Sequence, residues 1–147
     1  MSPRSPAGYS KASLSTKLGI RRGQRIAIVD PPTGYTRALK LDPGTEVSHG
    51  LTPNLDLVQV FAKDSKTLAR VFPKLKGAAK PEGAVWVSWP KKASGVETDL
   101  SDSVVRRIGL DNGLVDIKVC AIDETWSGLK FVRRADDRLA SPWPLSR

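Results

Sequence analysis

The chain has 147 residues and a formal net charge of +9, with 24 Lys and Arg against 15 Asp and Glu, which is the size of one domain. One cysteine and one histidine exclude a disulfide framework and a zinc cluster of the usual Cys/His spacing. No apolar run approaches the roughly 18 residues of a membrane helix, and the N-terminus lacks an apolar signal core, so the expectation is a basic, cytoplasmic protein with no membrane partner.

Residues 1–24 read as a basic leader. They hold Arg4, Lys11, Lys17, Arg21 and Arg22 and no acid, a charge of +5. The segment MSPRSPAGYS is rich in Pro, Ser and Gly and reads as loose. Ser13 or Ser15 can cap a short helix to Leu18, stopped at Gly19. Arg25–Val29 is a short, β-branched apolar run ended by Asp30-Pro31-Pro32, the pattern of a buried strand opening into a loop. A weak helix over Thr36–Leu41 and a short strand over Glu46–His49 follow.

Leu55–Ala62 is a nearly continuous apolar strand. Asp64 or Ser65 caps a helix reaching Lys80, whose apolar positions Leu68, Val71, Phe72, Leu75 and Ala79 recur at spacings of three and four. Pro73 lies inside that pattern and is expected to kink or split the helix. Pro81-Glu82-Gly83 turns the chain into the strand Ala84–Trp89, where Trp86 and Trp89 face opposite ways. A loop over Pro90–Gly95, a helix from Ser101 or Asp102 to Leu110, and strands over Val115–Ile122 and Leu129–Arg133 complete residues 25–134. This stretch holds 17 basic and 13 acidic side chains, only +4. Ala135–Arg147 reads as an irregular tail.

Alternating strands and helices predict an α/β fold: a three-layer Rossmann-like domain with a mainly parallel sheet and helices on both faces. The last connection is too short for a helical crossover, so the last strand is expected to be antiparallel. That ending resembles the second half of class I methyltransferase folds, a likeness of architecture only.

A dinucleotide or S-adenosylmethionine site would want a glycine-rich turn after the first strand and an acid ending the second. IAIVDPPTGYTR offers one glycine behind two prolines, and the second strand ends near Ser48 and His49. The sequence therefore assigns no cofactor, and no metal.

The rim at the carboxyl ends of the strands is nevertheless where open α/β sheets bind ligands. The candidate site collects Asp30, Thr33, Gly34 and Tyr35 from the first loop. Lys91, Lys92, Ser94 and Gly95 come from the loop after the AVWVSW strand, where a lysine pair beside a glycine turn suits a phosphate or carboxylate. Asp123, Glu124, Trp126 and Ser127 come from the last connection, with Lys130 beyond it. Asp123 or Glu124 can act as a base or accept turn hydrogen bonds, and Trp126 can form a flat apolar wall. Cys120, within an apolar strand, reads as an inert core residue and His49 as a surface histidine.

The stretches AVWVSWPKKASG and VDIKVCAIDETWSGLKFV resemble a bacterial family catalogued as domain of unknown function number 3052. The similarity runs from about Gly8-Tyr9 to Arg133-Arg134. It implies a small Rossmann-like protein, and the family-like positions are Gly19, Pro90, Lys91, Trp126 and Ser127.

Three uses follow from these residues. The first is a non-enzymatic or degenerate binding module for an anionic small molecule or a protein partner. The second is a small transferase or hydrolase in the same cleft. The third is nucleic-acid binding through the basic leader, which five cations in 24 residues support only weakly.

Overall fold

The apolar run IAIV forms the first strand, β1 (Arg25–Val29), and its neighbours assemble around it into one six-stranded sheet. The computed structural model describes residues 13–135. In chain order the elements are α1 (Leu14–Leu18), β1, α2 (Tyr35–Ala38), β2 (Glu46–Ser48), β3 (Leu55–Phe61), α3 (Ser65–Ala78), β4 (Ala79–Pro90), α4 (Asp102–Asp111), β5 (Leu114–Ala121) and β6 (Trp126–Arg133). The sheet order is β2-β1-β3-β4-β6-β5. The first four strands are mutually parallel, and β6 runs antiparallel between β4 and β5. This is the three-layer, methyltransferase-like Rossmann architecture with an antiparallel last strand.

Two cores flank the sheet. Under α3 and α4 lie Leu68, Phe72, Leu75 and Val105 against Val58, Val60, Val85, Leu129 and Phe131. Under α1 and α2 lie Leu18, Tyr35 and Leu39 against Ile26, Ile28, Phe61, Trp86 and Trp126. Trp86 and Trp89 fall in opposite cores, as strand alternation requires. Cys120 is buried in the α1/α2 core.

The caps follow the local sequence. Ser13 accepts from the Thr16 N–H and starts α1, while Gly19 at φ 85° ends it. Gly19 N–H donates to the Thr16 carbonyl and Ile20 N–H to the Ser15 carbonyl, both at 3.0 Å, the paired bonds of a Schellman stop. Asp64 and Ser101 cap α3 and α4 in the same way as Ser13 caps α1. Residues 13–24, counted with the leader by charge, thus include a helix whose Leu18 is fully buried. Residues 1–12 and the tail from Asp136 lie outside the described residues.

Two elements depart from expectation, and a third is an edge. Pro73 does not split α3, which is continuous from Ser65 to Ala78. Pro73 is exposed while Phe72 and Leu75 are buried, so the lost backbone bond faces water and the packed face holds the helix. The Pro81–Gly83 turn is absorbed into β4, because the pairing jumps from Leu55↔Ala79 to Leu57↔Ala84. Gly83 sits where a Cβ would approach the Leu55 and Asp56 carbonyl oxygens to 3.0 Å, so only glycine lets the backbones meet there. β5 is an outer edge strand, and its Ile117 and Val119 are 56% and 62% exposed.

Candidate functional site

β1 and β3 are adjacent, yet their connections leave in opposite directions across the sheet, β1 toward β2 and β3 toward β4. In open α/β sheets such a reversal is where ligands bind, at the carboxyl ends of the strands. The loop after β1 lies on one side of it and Lys63-Asp64 on the other. Because β5 runs parallel to β4 through the intervening antiparallel β6, its carboxyl end and the start of β6 share the same rim. The structure therefore brings together Asp30–Tyr35, Lys91–Gly95 and Asp123–Ser127.

The loop after β1 holds two left-handed residues, Asp30 at φ 56° and Gly34 at φ 82°. Aspartate tolerates this region and glycine occupies it without penalty, and together they turn the chain sharply into α2. A Cβ on Gly34 or on Gly95 would meet no atom within 4 Å. These glycines therefore serve the backbone turn, and the space over them is open.

The other two loops are tied to each other. Lys91 N–H donates to the Thr125 carbonyl at 2.8 Å, and Pro90 pairs with Trp126 across β4 and β6. The Lys91 loop continues as a 3-10 turn over Lys92–Ser94. Ser94 hydroxyl donates to the Lys91 carbonyl at 2.6 Å and accepts from Val96 N–H at 3.1 Å, so it shapes the turn. Asp123 Oδ1 accepts from both Thr125 N–H and Trp126 N–H at 2.8 Å, an Asx turn. That bond pattern was one of the two uses expected for this carboxylate. Glu124 is exposed, as are Asp30, Thr33, Lys92 and Gly95, while Lys91 and Ser127 are half-buried.

Tyr35 and Trp126 lie beneath this rim. Both are buried, at 7% and 8% exposure. Tyr35 meets Phe61 edge-on at 4.7 Å between ring centres, and Phe61 meets Trp126 edge-on at 5.0 Å. Trp126, expected in a polar turn, is instead the first residue of β6 and packs as core. The Tyr35 hydroxyl donates to Gln59 Oε1 at 2.8 Å, and Gln59 Nε2 donates to Ser88 Oγ at 3.1 Å. Burial pushes the Tyr35 phenol well above its ordinary range, and the nearby Asp123 carboxylate adds to it. Tyr35 therefore stays neutral and acts as a fixed donor that anchors α2 to the sheet.

Gln59 and Ser88, both fully buried, were not singled out by sequence reasoning. A signal was present, since each interrupts an otherwise apolar buried strand and must find a partner. Lys130 is not with the rim loops. It pairs with Trp86 and Lys118 in the sheet and lines a cavity with Asp56 and Glu82, toward the amino ends of the parallel strands.

No family model and no curated protein matches the chain. Solved structures do resemble it. A SAM dependent methyltransferase from Aquifex aeolicus is similar at a TM-score of 0.62 and 14% identity, over 80% of this chain and 86% of that one. A magnesium protoporphyrin IX methyltransferase from Synechocystis PCC 6803, with bound SAH, is similar at 0.57 and 13%, over 82% and 78%. Mitomycin 7-O-methyltransferase is similar at 0.59 and 12%, over 76% of this chain, which spans only 49% of that protein's length. At such identities the likeness establishes the fold.

Proposed function

We propose that the chain is a small-molecule-binding module on a methyltransferase-type scaffold, taking an anionic ligand at the carboxyl-edge rim. The observation that supports this reading is the convergence of three polar loops at that rim, two of them joined by the 2.8 Å Lys91–Thr125 backbone bond. Lys91 and Lys92 supply positive charge, the open space over Gly34 and Gly95 admits the ligand, and Glu124 or Ser127 offers a hydrogen-bonding partner. Membership of the bacterial family named above belongs to the same proposal.

The cofactor that the fold suggests is poorly matched by these residues. Pro31 and Pro32 carry no N–H, and Tyr35 N–H is committed to the Pro32 carbonyl at 3.0 Å, so the loop after β1 has few donors left for a ligand. Where an acid would hold a ribose, β2 ends at Ser48, whose hydroxyl donates to the Gly50 carbonyl, and His49 Nε2 lies 3.2 Å from Thr36 Oγ1. These positions do not fit S-adenosylmethionine, and the chemistry of a methyl donor is not assigned to them.

A second reading, a small transferase at the same rim, is favoured by the fold comparisons, since the likeness to the Aquifex methyltransferase spans most of both chains. Glu124, free of the Asx turn that occupies Asp123, would be its base.

Native mass spectrometry of gently purified protein tests the two readings together. The binding-module reading expects a retained anionic small molecule that is lost in the Lys91→Gln/Lys92→Gln variant. Tight binding of S-adenosylhomocysteine, unaffected by that variant, would overturn it in favour of the transferase.

A further inference from the structure

A concavity lies at the opposite end of the sheet from the rim, on the α1 face. It encloses about 270 Å³ and is lined by Gly19, Arg21, Gln24, Gly83 and Lys130, with Asp56 and Glu82 at its acidic side. We infer that this amino-edge cavity binds a small phosphate-bearing anion, with Lys130 and Arg21 as its cationic ligands.

Lys130 sits in mid-strand on β6, on the face covered by α1, and is half-buried. Among the described residues no carboxylate pairs with it; the ion pairs there are Arg25–Glu46, Lys80–Asp56, Arg106–Asp116 and Arg107–Asp111. A half-buried lysine without a counter-charge loses hydration that nothing in the fold restores. Its surroundings add to the cost. Burial lowers its pKa below that of an ordinary lysine, and the neighbouring Lys118 and Arg21 lower it further. Lys130 and Arg21 thus line one cavity where a bound oxyanion would relieve both desolvation and mutual repulsion.

The walls suit that occupant. Gly19 ends α1 at φ 85°, and a Cβ there would stand 3.4 Å from the Lys130 ammonium. The helix stop therefore keeps the ammonium uncovered. Gln24 Oε1 accepts from Arg21 N–H at 2.9 Å, and its amide NH2 supplies a further donor type in the lining. The acids on the other side are compatible with an anion. Asp56 is already neutralised, with Oδ1 taken by the Lys80 ammonium and Oδ2 by Arg25 N–H, each at 2.8 Å, and Glu82 is exposed to solvent. A volume near 270 Å³ is at the small end for ligand sites, which selects a bare phosphate or a short phosphate monoester.

The test is an amide and lysine-methylene NMR titration of the full chain at constant ionic strength, with inorganic phosphate in one arm and glycerol 3-phosphate in the other. The expected result is saturable shifts at Gly19, Arg21, Gly83 and Lys130, with the Lys130 pKa rising as the anion binds. Lys130→Met and, separately, Arg21→Gln each weaken binding about tenfold or more, the worth of one charge-assisted contact. Lys91→Gln/Lys92→Gln leaves it unchanged, which separates this site from the rim. Tighter binding of glycerol 3-phosphate identifies an organic phosphate, and tighter binding of inorganic phosphate identifies the free ion. Shifts that never saturate in either arm, or binding that survives both Lys130→Met and Arg21→Gln, would overturn the inference.

Discussion

The two faces of the sheet are held by different means. One is covered by α3 and α4, of 14 and 10 residues, packed through Leu, Val and Phe. The other is covered by α1 and α2, of 5 and 4 residues. Helices that short do not persist by themselves. They are held by burying Leu18, Tyr35 and Leu39 in the second core, and in addition by directed bonds between helix and sheet. Trp86 Nε1–H donates to the Leu18 carbonyl at 2.8 Å, the Lys118 ammonium to the Lys17 carbonyl at 2.8 Å, and Tyr35 to Gln59 at 2.8 Å. A face covered by two such short helices leaves gaps at its margins that a continuous helical cover would fill. The amino-edge cavity lies on this face, and the loop after β1 leads directly into α2.

Three substitutions are ways to break that contrast. On the α3/α4 face, Phe72→Ala removes a fully buried ring that meets Phe131 edge-on at 5.6 Å, and should cost about 3–5 kcal/mol of global stability. Denaturant unfolding checks it, and a loss below about 1 kcal/mol would mean that this core repacks freely. On the α1/α2 face, Trp86→Phe keeps most of the ring but orphans the buried Leu18 carbonyl. The expected global cost is smaller, about 1–2 kcal/mol. Its signature is local: hydrogen exchange should accelerate in α1 while α3 and α4 stay protected. Uniform acceleration across all four helices would erase the distinction between the faces.

The smallest effect concerns pH. Burial alone would raise the Asp56 pKa, but the Arg25 amide and the Lys80 ammonium together outweigh it and hold the carboxyl below its ordinary value. A carboxyl depressed in the fold contributes stability that is fully present above its unfolded pKa, near 4, and is lost as pH falls through the lower folded value. Asp56→Asn should therefore lower stability near neutrality and flatten its decline below about pH 4. Parallel stability curves for the two proteins down to low pH would contradict that linkage.

Much of the fold was legible because local chemistry and tertiary placement agree. β1 runs over Arg25–Val29 as its composition indicates, and Ser13 and Gly19 bound α1 as capping residues should. The antiparallel β6 follows from a connection too short to cross the sheet. The rim loops were legible for the same reason, since strand direction alone fixes which ends they share. What eluded sequence reasoning depends on register. Lys130 follows Trp126 by four residues in sequence, yet the strand between them carries it along the sheet to the far cavity. Trp126 reads as a turn residue because it directly follows the polar run Asp123-Glu124-Thr125, whereas its pairing with Pro90 starts the strand there. Pro73 misled because helix propensity does not say which face meets water.

The central claim is that the anionic ligand retained on purification binds at the carboxyl-edge rim. Hydrogen exchange on ligand-loaded against ligand-stripped protein tests it most directly. The account predicts added protection at Asp30–Gly34, Lys91–Gly95 and Asp123–Ser127, with α3 and α4 unchanged. Protection confined to the α3/α4 face or to the outer strand β5 would contradict it.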